Sequence, residues 1–169
     1  LHLAPAATRQ HTRQRSLAFV LDALDTHRVR ADFQNDRIHI SNSGVRADKR
    51  FEVITFKRMS RPLVMSDVLV GGVRARAVID TGGAHTLGNR ALLGALRQQM
   101  GGNLPGSVTG QVADATDSMQ PVILAPVPIL AFGPGALANL PVSFGSLPVF
   151  DVWGVNDRPT LLLGMEAML

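Results

Sequence analysis

The stretch Ala77-Val78-Ile79-Asp80-Thr81-Gly82-Gly83 decides how this chain is read. Three apolar residues run straight into a carboxylate, and Thr and two glycines follow. Taken alone, a strand that ends in Asp places that carboxylate in a solvated turn. An apolar run that also ends in Gly, Leu161-Leu162-Leu163-Gly164, stands near the other end of the chain and raises the weight of the first.

Outward from Asp80 the chain reads as many short strands. Val73–Ile79 leads into it, and Gly71-Gly72 behind that strand is a two-residue hairpin turn joining it to Leu63–Val70. Phe51–Phe56, Val108–Ala113, Val122–Leu130, Leu140–Phe144 and Val149–Trp153 read as further strands. Ala91–Met100 reads as a helix with Leu92, Leu93 and Leu96 on one face, broken by Gly101–Gly106. The pattern predicts a mainly β barrel or sandwich with one or two short helices.

Earlier in the chain, residues 1–15 read as linker or tail and Ser16–His27 as a short helix. Arg28–Ile40 reads as strand–turn–strand about Gln34-Asn35-Asp36. A basic segment over 1–48 and a main domain over 49–169 are therefore expected. Residues 1–58 carry 11 Lys and Arg against 6 Asp and Glu, while residues 59–169 carry 6 against 7. The basicity belongs to the first third. No aromatic is interleaved with Arg9, Arg13 and Arg15, so nucleic acid is not the favoured partner, and neither is a membrane.

The 46% apolar and 18% charged fractions are those of a globular chain. The absence of cysteine excludes disulfides, thiol catalysis and Cys-based zinc sites. The longest apolar run, Pro121–Phe132, is broken by Pro126 and Pro128 and is shorter than the roughly 18 residues of a membrane span. His2, His11, His27 and His39 are too scattered for a zinc site, and Asp114, Thr116 and Asp117 lack the spacing of a cation loop. No metal and no cofactor are expected.

From Arg61 to Leu169 the chain resembles the retropepsin-like aspartic proteases, the one-lobed acid proteases, and in particular their bacterial members. The resemblance rests on the hairpin leading into Asp80-Thr81-Gly82, the short helix at Ala91, the Gly-containing hairpin Gly106–Ser118, and the closing run Arg158-Pro159-Thr160-Leu161-Leu162-Leu163-Gly164-Met165-Glu166. It implies a retropepsin-like acid-protease barrel and an aspartic endopeptidase acting on extended peptide or protein segments. Two carboxylates held close cannot both ionise, so one activates a water while the other protonates the scissile carbonyl. Only one Asp-Thr-Gly is present. The resemblance therefore implies a homodimer with Asp80 from each copy, or a pseudo-dimer in which a second lobe supplies the other carboxylate.

By the same resemblance Thr81 braces the two loops and Gly82 admits the substrate backbone. Gly83, Ala84 and His85 line the substrate, and Val112, Ala113, Asp114, Ala115 and Thr116 form the tip of a covering flap. Leu162, Leu163 and Gly164 support the loop from beneath. Gly83 stands where the family prefers Ala or Ser, so a looser loop is expected. Met165 stands where viral relatives carry an Arg that supports the dimer. Glu166 reads as a residue favouring a helix start, and Trp153 as core.

Phe19-Val20-Leu21-Asp22-Ala23-Leu24 resembles Leu163-Gly164-Met165-Glu166-Ala167-Met168. This suggests that the first 41 residues are the tail of an upstream degenerate lobe and that the main domain is truncated at its C-terminal end. If so, residues 28–40 form β-structure. The rival reading is a catalytically inactive peptide-binding or dimerisation module of the same fold. A periplasmic or envelope location is the expectation drawn from the bacterial resemblance and the lack of cysteine.

Overall fold

The structure, a computed structural model, describes residues 27–32, 37–42, 57–58, 64–114, 116–133 and 135–167. It divides into two compact units, Leu1–Val53 (with Leu169) and Ile54–Met168. In the first unit, β1 (His27–Asp32) pairs antiparallel with β2 (Arg37–Asn42), Val29 opposite Ile40. These are the two strands expected over residues 28–40, and the expected turn Gln34-Asn35-Asp36 lies outside the described residues. The expected helix Ser16–His27 and the expected strand Phe51–Phe56 lie outside the described residues, apart from His27 itself, which opens β1.

The second unit is one mixed sheet. Its strands are β3 (Lys57–Arg58), β4 (Val64–Val70), β5 (Val73–Ile79), β6 (Leu87–Asn89), β7 (Val108–Ala113), β8 (Met119–Phe132), β9 (Gly135–Gly145) and β10 (Thr160–Leu163). Their spatial order is β3-β4-β5-β10-β6-β9-β8-β7. β8 is long enough to pair with β7 and β9 and then to reach β4, where Leu69 faces Ala131 and Val70 faces Leu130. That last pairing closes β4-β5-β10-β6-β9-β8 into a barrel. The described fold is mainly β with two short helices, as the sequence predicts.

Alternation explains which face goes inward. In β5, Ala75 and Ala77 are buried while Arg74 is exposed. The turn before it, Gly71-Gly72, has φ values of 53° and 85°. That is the left-handed backbone a two-residue hairpin needs and glycine adopts without strain. Inside the barrel Val70, Val127, Leu130, Phe144 and Leu161 pack against Leu92 and Leu96 of the helix α1 (Arg90–Met100). β10 is buried along its whole length, because one face meets this core and Leu162 on the other meets a second cluster.

One expectation is corrected. Val149–Trp153 is not a strand: Pro148–Val152 is a short helix, α2. Its β-branched residues look strand-like. However, Pro148 sits in the first turn, where its fixed φ favours a helix, and Gly154 at φ 63° ends it. Phe150 is fully buried and anchors α2 on the second cluster, with Val78, Val122, Leu147, Val155 and Leu162.

Candidate active site

β10 lies between β5 and β6, parallel to the first and antiparallel to the second. The chain leaving β5 at Ile79 must therefore arch over the C-terminal end of β10 before descending as β6. Residues 80–86 are that arch, and Asp80 is its first residue. Its N–H donates to the Leu163 carbonyl at 2.9 Å, extending the β5–β10 ladder by one bond. Its half-buried carboxylate is held from within the loop, where Oδ1 accepts the N–H groups of Gly82 at 3.0 Å and Gly83 at 3.2 Å.

Gly83 has a defined place in this loop. A Cβ there would lie 2.9 Å from Asp80 Oδ2. The missing methyl is the space the carboxylate occupies. The Gly83 N–H also reaches the Asp80 carbonyl at 3.2 Å, and its own carbonyl accepts the Met165 N–H at 2.8 Å.

The segment after β10 passes beneath the arch and grips it. Glu166 N–H donates to the Ala84 carbonyl at 3.2 Å. Its carboxylate accepts the Thr86 N–H at 2.6 Å through Oε1 and lies 3.1 Å from His85 Nδ1 through Oε2. Gly164 N–H donates to Thr86 Oγ1 at 3.3 Å. A Cβ on Gly164 would collide with the His85 carbonyl oxygen, so only glycine permits the approach. Glu166 does lie in the first turn of a 3₁₀ segment, Met165–Ala167, but its carboxylate is used on the loop.

Behind the arch, Asn89 joins three segments with one fully buried side chain. Its Oδ1 accepts the N–H groups of Leu92 at 2.9 Å, capping α1, and of Thr160 at 3.1 Å, at the start of β10. Its Nδ2 donates to the carbonyls of Val155 at 3.1 Å and Arg158 at 2.6 Å.

Val112, Ala113, Asp114 and Thr116 lie at the end of the β7–β8 hairpin, and Ala115 is outside the described residues. Half-buried Val112 packs on the cluster that holds Val78 and Leu162, which ties the hairpin to the strands under Asp80. The Asp114 carboxylate organises its own turn. Oδ1 accepts Thr116 Oγ1 at 2.6 Å, Thr116 N–H at 2.8 Å and Ser118 N–H at 3.2 Å, and Oδ2 accepts Gln120 Nε2 at 2.9 Å. These donors, the Thr116 hydroxyl first, lower its pKa from 3.8 to about 2.

The structure thus brings Asp80, Gly82, Gly83, Ala84 and His85 together with Leu163 and Gly164, while Leu162 lies beneath them between Val78 and Leu87. Thr81 is half-buried in the same arch. Sequence reasoning missed Thr86, Asn89 and the reach of Glu166. A signal existed for Asn89, an Asn directly before a helical run, and none for the other two. Among the described residues no three His, Cys, Asp or Glu side chains form a metal-type cluster, and no helix is long and apolar enough to cross a membrane.

No protein-family model and no curated protein sequence matches the chain. Solved structures do match. One is a retropepsin-like aspartic protease from Rickettsia conorii, 17% identical, with a TM-score of 0.46, covering 68% of this chain and 75% of that one.

Proposed function

We propose that this chain is an aspartic endopeptidase whose reacting groups are two Asp80 carboxylates, one from each of two copies. The observation that carries the reading is the seat of Asp80. A half-buried carboxylate stands at the end of a strand, fixed by the N–H groups of Gly82 and Gly83, in an arch braced by the only Leu-Leu-Leu-Gly run in the chain. Orientation of this kind is what a carboxylate needs to act on a bound water rather than to sit in solvent.

In the paired site one carboxylate takes a proton from water as the water oxygen bonds to the scissile carbonyl carbon. The other, protonated, gives its proton to the carbonyl oxygen. Collapse of the tetrahedral intermediate breaks the C–N bond, and the leaving amine takes up a proton. Thr81 braces one loop against its counterpart. Gly82 lets the substrate backbone approach. Ala84 and His85 flank the peptide, with the His85 ring held at Nδ1 by Glu166. Val112, Ala113 and Thr116 cover the substrate and exclude water, while Asp114 shapes the turn that carries them.

The test is cleavage of a peptide library from about pH 3 to 7, the range that brackets carboxylate titration. Wild type cleaves, with apolar residues flanking the cut. Asp80→Ala loses about 10²-fold to 10⁴-fold or more of that activity. Cleavage that survives in Asp80→Ala, or none by a wild-type protein shown to be dimeric, refutes the proposal and favours a peptide-binding module.

A further inference from the structure

We propose that Glu166 is the positioning residue of the Asp80 loop, an inference that rests on the endopeptidase reading only for its catalytic consequence. Residue 166 touches three consecutive loop residues. Its N–H holds the Ala84 carbonyl, and its two carboxylate oxygens hold the Thr86 N–H and the His85 ring. The 2.6 Å bond to Thr86 is a charge-assisted one, stronger than a neutral pair. The neighbouring residue Gly83 is shared between the two ends of the system. Its carbonyl accepts from Met165, next to Glu166, and its N–H donates to Asp80 Oδ1. A shift of residues 84–86 thus reaches the carboxylate through one residue, Gly83, whose two flanking peptides are bonded to Asp80 and to Met165.

The arrangement gives the loop little slack. Gly164 lies against the His85 backbone too closely for any side chain, so residues 83–86 are held by one segment through backbone contact at Gly164 and hydrogen bonds from Met165 and Glu166. Glu166 is 81 residues from His85 in sequence, so the pin is made by tertiary structure. Loss of the carboxylate releases Thr86 and His85 but leaves the β5–β10 ladder in place.

The experiment compares Glu166→Ala, Glu166→Asp and Glu166→Gln in the full chain by amide hydrogen exchange and by peptide cleavage. In Ala and Asp the amides of Thr86, Gly82 and Gly83 exchange about tenfold faster or more, while those of Leu93 and Leu96 in α1 do not change. Gln restores protection, because its side-chain oxygen still accepts the Thr86 N–H. Where peptides are cleaved, kcat falls about tenfold in Ala with KM within about twofold, and Gln recovers it. Unchanged loop exchange in both Ala and Asp overturns the proposal, and so does acceleration spread equally over α1. If Ala does not fold, Asp is read by the same criterion. A wild type that cleaves nothing defeats the endopeptidase reading, and exchange alone then decides this one.

Discussion

A methyl group added at Gly83 meets the far end of the Asp80 side chain, 2.9 Å away at Oδ2. A carboxylate can swing aside, so Gly83→Ala is expected to leave stability within about 1 kcal/mol of wild type. The cost falls on orientation, and kcat is expected to drop about tenfold or more. Steady-state kinetics beside a urea melt separates the two, and unchanged kcat would show that the seat has slack. Gly164 is the opposite case, because its missing Cβ faces backbone that cannot swing. Gly164→Ala is expected to lower stability by about 1–3 kcal/mol or more in the same melt. The two glycines show what a sequence tells at this scale. Asp80-Thr81-Gly82 is legible as a motif. Which neighbouring glycine leaves room for a carboxylate and which for a carbonyl depends on what the fold brings to it. Glu166 stayed illegible for the same reason, since a Glu at the start of a helical turn looks locally satisfied.

The helix α1 starts where Asn89 caps it, and the same side chain fastens β10 and the loop carrying Val155 and Arg158. Asn89→Ala removes the cap and strands buried polar groups, at a cost of about 2–4 kcal/mol in equilibrium unfolding. A loss below about 1 kcal/mol would mean that water replaces the side chain. The β7–β8 turn gives a prediction in pH. Because the Asp114 pKa is depressed, its contribution to the turn is complete above 3.8 and is lost as pH falls through about 2. The amides of Thr116 and Ser118 are expected to stay protected from pH 7 to about 4 and to loosen below it. Asp114→Ala removes both the protection and its pH dependence, and hydrogen exchange reads both. Strands with one solvated face, such as β5 and β7, are legible because alternation marks them. β6 is three residues long and is held by pairing with β9 and β10, which no local pattern records. In α2, β propensity loses to Pro148, Gly154 and the burial of Phe150.

At the scale of the whole molecule, the second unit closes its sheet through β8 and leaves one Asp-Thr-Gly at the end of β5. The six-strand closure was legible only as a class, mainly β, because barrel order is set by which distant strands meet. The proposed chemistry needs two carboxylates, and one copy supplies one. In the first unit β1 and β2 pair antiparallel, and the origin of that unit as the tail of an upstream lobe is a proposal of its own. The most direct test of the paired site is a mixing series. Wild type and Asp80→Asn are combined in varying proportions at fixed total concentration, equilibrated, and assayed for peptide cleavage. If two Asp80 residues make one site, activity falls as the square of the wild-type fraction, to about a quarter in an equal mixture. A linear fall, to about half, or an unmixed wild type without activity, would contradict the account.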